Sequence, residues 1–151
     1  MRYRRSILVV LLILLLPIVI TGCRQTYDYS FAQSIDHVEK VEICQYEYKT
    51  HTSTSLITLN NNQARALLTD IDALKCKKHF GDHTQDYGEV VIYITYTDGT
   101  AEVIGLWNVA LVDEEGLWHI GIEYFDAKEL YAIMVKYTDE DLLPDLSASL
   151  Q

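Results

Sequence analysis

The first 23 residues, MRYRRSILVVLLILLLPIVITGC, constrain this chain more than any other stretch. Arg2, Arg4 and Arg5 form a cationic head, and Ile7 to Ile20 form an apolar run interrupted only by Pro17. A helix of those 14 residues rises only about 21 Å, short of the roughly 30 Å hydrocarbon core of a bilayer. The run therefore reads as the apolar region of an export signal and not as a permanent span. An uncleaved signal anchor with an ordinary cysteine beside it is the alternative.

The run ends in Ile20-Thr21-Gly22-Cys23, an aliphatic residue, two small ones and a cysteine. This resembles the lipobox of bacterial lipoprotein signal peptides. The resemblance implies that residues 1–22 are removed, that the Cys23 thiol carries a diacylglycerol, and that Cys23 becomes the new N-terminus. The protein would then sit outside the cytoplasm, held to the cell membrane by its acyl chains. Each buried methylene contributes about 0.8 kcal/mol, so two or three chains hold stably where one would exchange.

The signal carries three of the 12 basic residues and none of the 22 acidic ones, leaving nine against 22 and a net charge of −13 for residues 23–151. That balance opposes nucleic acid and is repelled by anionic headgroups, so the domain is expected to stand off the membrane and touch it through its lipid. The 129 remaining residues make one ordinary domain. Two thiols remain, Cys44 and Cys76. Outside the cytoplasm they form either a bridge closing a loop of about 32 residues, worth roughly 3 to 4 kcal/mol, or two separate thiols.

Residues 23–35 have no sustained period and read as a tether; Arg24 to Ser34, fully extended, would reach about 40 Å. Val38 to Tyr48 alternates as a strand whose apolar side changes partway, which a bulge near Ile43 and Cys44 would reconcile. Ser55 to Leu59 is a second short strand. Asn60 and Gln63 then form a capping box ahead of Ala64, Leu67, Leu68, Ile71 and Leu74 at helical spacing. Lys75, Lys77 and Lys78 fit the negative end of that helix.

Val90 to Thr97 alternates into Asp98-Gly99, which reads as a two-residue hairpin pairing Tyr96 with Ala101 and Ile94 with Val103. A second hairpin spans Asp113 to Gly116, with Val109 and Leu111 expected on the same side as Trp118, Ile120 and Ile122. Asp126 and Glu129 read as another capping box, ahead of a last helix striped by Leu130, Ile133, Met134 and Tyr137. The tail, 138–151, is acidic and is expected to fray.

The expected fold is α+β: a curved antiparallel sheet of about five to six strands with two helices on one face, spanning 36–137. This order, a KVEI strand, a capped helix, a tyrosine-rich strand into a DG hairpin, then a tryptophan strand and a closing helix, is loosely similar to small lipoprotein domains of unknown function in Gram-positive bacteria. That likeness implies no activity.

No stretch carries an evident catalytic apparatus. His79, Asp82, His83 and Asp86 share one loop and supply nitrogen and oxygen donors suited to Zn2+. They support an alternative reading as a metal-dependent hydrolase, although their spacing matches no zinc motif with a mechanism attached. Serines lie in no strand-to-helix elbow. Cys44 reads as a buried or bridged thiol in preference to a nucleophile, and no cofactor beyond the Cys23 lipid is implied. Ten of the 11 tyrosines follow the signal, and tyrosine favours interfaces. Tyr46, Tyr48 and Tyr93, with Ile104 and Leu106, are expected to share the sheet face away from the helices. That face would dock an extracellular protein, peptide or glycan, which makes a non-enzymatic binding module the leading expectation.

Overall fold

A computed structural model of the chain describes residues 26–47, 49–50, 52–78 and 88–143. Eleven elements follow in order: β1 (Tyr27–Asp28), β2 (Val38–Glu47), β3 (Thr52–Thr58), α1 (Asn61–Asp72), β4 (Lys75–Lys78), β5 (Val90–Tyr96), β6 (Ala101–Gly105), β7 (Val109–Val112), β8 (Trp118–Ile120), β9 (Glu123–Tyr124) and α2 (Ala127–Tyr137). They build two antiparallel sheets, a six-stranded one ordered β3-β2-β5-β6-β7-β8 and a three-stranded one ordered β1-β4-β9. The class is α+β.

Both helices begin where local chemistry dictates. The Asn60 side chain accepts from the Asn62 and Gln63 amides, and Gln63 accepts from the Asn60 amide, closing the capping box. Asp126 accepts from the Lys128 and Glu129 amides. Leu67, Leu68 and Ile71 of α1 and Leu130 and Met134 of α2 are buried against Val41, Ile43, Ile92, Ile94 and Ile104 of the large sheet. Asp70 ties the helices together, accepting from Lys136 at 2.6 Å and from the Tyr137 hydroxyl at 2.7 Å. Those two hydrogen bonds hold its carboxyl below the usual aspartate range.

The other face of the large sheet has its own small core of Cys44, Tyr46, Val91, Ala101, Val103, Ala110 and Val112. Here the sheet covers itself. Three strands separate β2 from β8, about 19 Å in a flat sheet at ~4.8 Å per strand, yet the Tyr46 and Trp118 rings lie 5.6 Å apart. The sheet is rolled toward this side without closing, and its alanines and valines fit the restricted space.

Several expectations are corrected. Thr97–Gly99 is a three-residue connection: the Tyr96 amide donates to Thr100 C=O at 2.9 Å and Gly99 N–H to Tyr96 C=O at 3.0 Å, with Gly99 at φ 88°. Tyr93 therefore faces Val103 and Ile92 faces Ile104, one residue out of the expected register. A slip of one residue exchanges the two faces of β6. Glu102 and Ile104 turn to the helix side, Ala101 and Val103 to the rolled side.

The β7–β8 hairpin differs likewise. Val112 pairs with Trp118, Leu111 with His119 and Ala110 with Ile120. Leu111 thus shares a side with His119 and stays exposed, while Val112 and Ala110 join the rolled core. At Ile43–Cys44 the pairing with β3 does shift, but the extra residue is Leu56 in β3. From Val41 to Glu47 strand β2 alternates, buried on one face at Val41 and Ile43 and on the other at Cys44 and Tyr46, while its own extra residue is Glu39, against β5. Lys75–Lys78 is not a helix end but a strand, because Tyr27–Asp28 and Glu123–Tyr124 pair with it.

The described parts of the two flanking segments, 26–35 and 138–143, also belong to the fold. Tyr29 is buried in the helix-side core, as is Leu143 beyond α2. Glu102, fully buried, accepts from the hydroxyls of Tyr29 and Tyr96, the latter at 2.5 Å, and from the Ala32 amide at 3.0 Å. Burial, with the Glu102 charge beside them, pushes both tyrosines above their ordinary range. A buried carboxylate with three donors is satisfied, and this one fastens residues 29–32 to β6.

Candidate functional site

The five residues expected on one docking face do not share one. Tyr46 is buried and Tyr93 half-buried on the rolled side, whereas Ile104 and Leu106 lie fully inside the helix-side core. Tyr48 lies outside the described residues. The register of β6 decides this, and it removes the large exposed patch that the docking expectation needed. Cys44 and Cys76 are separate buried thiols, one in each core. Burial pushes Cys44 up to about 12, so at neutral pH it is protonated and no nucleophile. Burial also raises Cys76. His79, Asp82, His83 and Asp86, the proposed metal donors, and Cys23 lie outside the described residues.

A concavity among the described residues lies elsewhere, between the start of β2, the end of β3 and the first turns of α1. It holds about 280 Å³. Its origin is a mismatch of strand lengths. Pairing between β2 and β3 ends at Glu42 and Thr58, with one last link from the Leu59 amide to Val41 C=O at 3.0 Å. Strand β2 continues three residues further, to Val38, with β5 on its other side. The chain meanwhile turns at Asn60 into α1, leaving a notch beside the β2 backbone.

Val41, Leu59, Ala64 and Leu68 make a buried apolar floor, and Ile35 and Val38 a half-buried wall. Charged groups ring the mouth. Arg65 reaches Asp36 at 3.2 Å, with side chains 64% and 78% exposed, so the pair can part at little cost. Lys40 meets Glu42 at 2.7 Å. That hydrogen bond raises the ammonium. Burial pushes Glu42 upward, but hydrogen bonds from Lys40, Ser55 and Thr58 outweigh it and leave the carboxyl lowered. The result is an apolar slot with both charge signs and backbone groups at its edge.

Sequence reasoning missed this notch because no motif encodes it. The available signal was the apolar pair Ile35 and Val38 flanking a polar turn, across the boundary between the segment read as tether and the first strand. Comparison with protein-family models, with curated proteins and with solved structures finds no match to this chain.

Proposed function

We propose that the chain is a lipid-anchored, non-enzymatic binding module outside the cytoplasm, and that it takes a short extended peptide into the notch beside β2. The signal-like first 23 residues support the location. The observation that carries the binding reading is that Val38–Val41 run past the end of β3 above an apolar floor. An added strand there would gain backbone hydrogen bonds from β2 and seat alternate side chains on Val41, Leu59 and Leu68, while Arg65 and Asp36 would grip its polar groups.

Amide exchange on protein purified from membranes tests this, with a pool of extended peptides alternating apolar and polar residues as probe. Slowed exchange at residues 38–41, abolished by Val38→Arg, is the expected result. Peptides that bind but protect a different stretch, or none that protect residues 38–41, would remove the notch as the site. The mass of the N-terminal peptide of the same sample reports whether Cys23 is acylated.

A further inference from the structure

Strand β1 pairs antiparallel with β4, Tyr27 opposite Cys76 and Asp28 opposite Lys75. Because the strands run in opposite directions, the chain on the N-terminal side of Tyr27 leaves toward Lys77 and Lys78. The Lys78 ammonium already sits 5.0 Å above the Tyr27 ring. Cys23 precedes Tyr27 by four residues, a reach of at most about 14 Å. The buried Glu102 cluster holds residues 29–32 in place, so this leash cannot lengthen without exposing a carboxylate and two tyrosines. An acyl group on Cys23 would therefore hold the β1-β4-β9 sheet within about two Debye lengths of the headgroups.

That sheet has the chemistry for such a neighbour. Cys76 points inward at 1% exposure, so alternation turns Lys75 and Lys77 outward. Lys77 stands opposite Tyr124 on that outer side, whereas Tyr27, opposite Cys76, and Lys78, two residues beyond Cys76, share the inner side, with Tyr27 38% exposed at its rim. Tyrosine rings and lysines together suit the headgroup layer. Asp28 pairs with Lys75, and Glu123 lies 3.6 Å from Lys78. Among the described residues Lys77 makes no ion pair. On the outer face Lys75 and Lys77 against Asp28 leave a net positive charge in a region that carries a net −13 over residues 23–151. The exposed Asp28–Lys75 pair exchanges readily for phosphate.

We infer that the outer face of the β1-β4-β9 sheet, with Lys75 and Lys77, docks on an anionic bilayer and turns the acidic remainder of the domain outward. The inference rests on the lipid-anchor reading and adds an orientation to it. The global charge repels the surface while the local lysines hold it, so the molecule stands in one pose instead of swinging freely. The notch beside β2 belongs to the large sheet and not to the docked one.

The experiment uses the membrane-purified protein in detergent, in phosphatidylglycerol vesicles and in phosphatidylcholine vesicles. Acetylation rates are read at each lysine by mass spectrometry. In phosphatidylglycerol, Lys75 and Lys77 should slow about fivefold or more relative to detergent, the factor matching about 1 kcal/mol per lysine near an anionic surface. Lys49 and Lys136 should not slow, and in phosphatidylcholine the difference should vanish. Equal slowing at all four lysines, slowing that persists in phosphatidylcholine, or none at Lys77 would overturn the docking. An unacylated Cys23 peptide would defeat the anchor reading and the docking with it, whereas an acylated protein with unprotected lysines defeats the docking alone.

Discussion

The two faces of the six-stranded sheet are buried by different means. On one, two capped helices lay leucines and isoleucines over Ile92, Ile94 and Ile104. On the other, no helix is needed: the sheet rolls until Trp118 on β8 meets Tyr46 on β2, over Ala101, Ala110 and Val103. The first face depends on the volume of its side chains. The second depends on how little room they take, because every added methylene must be accommodated by unrolling the strands.

Opposite substitutions should break the two faces. Leu67→Ala empties a fully buried site under α1, where the cavity cannot refill from a rigid sheet, and should cost about 3 kcal/mol. Ala110→Leu adds volume at a site 1% exposed on the rolled side and should cost about 2 kcal/mol by overpacking. Urea unfolding of each variant checks the pair. A rolled face that accepted Ala110→Leu without loss would mean that its curvature is not set by packing.

The comparison also shows which features could be read from residues alone. The caps at Asn60 and Asp126 were legible because their partners lie within three residues. Strand β4 was not: Lys75-Cys76-Lys77-Lys78 satisfies the rule for a helix end equally well, and only Tyr27 and Tyr124, 46 or more residues away in sequence, make it a strand. Asp98-Gly99 correctly marked a hairpin, yet it fits both a two-residue and a three-residue turn, and the choice between them reassigned Glu102 and Ile104. The docking face drawn from Tyr93 and Ile104 failed at that single residue. The notch could not be read at all, since it exists only where β3 stops and β2 does not.

Alkaline pH sharpens the contrast between the faces. Cys44 belongs to the rolled core, and burial raises its thiol from 9.0 to about 12. A raised acid contributes stability that is fully present below its unfolded value and is lost as pH climbs through the folded one. The rolled face should therefore weaken from pH 9 upward. On the helix side Cys76 is raised from the same 9.0, and Tyr29 and Tyr96, raised from 10.0, add their loss only above that. Cys44→Ala should therefore make the fall in stability between about pH 9 and pH 10 shallower without abolishing it, Cys76 supplying the remainder. An unchanged fall after Cys44→Ala would place that weakness on the helix side.

The smallest expected effect lies at the turn that assigns β6 to its faces. Gly99 holds φ 88°, and a Cβ built there meets nothing within 4 Å. Gly99→Ala therefore carries only the left-handed backbone penalty, about 1 kcal/mol, with no clash added. The Tyr96–Thr100 pairing and the contacts of Asp98 with Thr100, 3.0 Å to its amide and 2.7 Å to its hydroxyl, remain to hold the register. The register is further locked from both faces, since a slip would drag Glu102 from Tyr29 and Tyr96 into the rolled core and leave its charge without donors. Unfolding at about 1 kcal/mol less stability, with tryptophan fluorescence unchanged, is the expected outcome. A shift in fluorescence with a loss well beyond that would mean that the turn, and not the buried carboxylate, decides which side of β6 meets the helices.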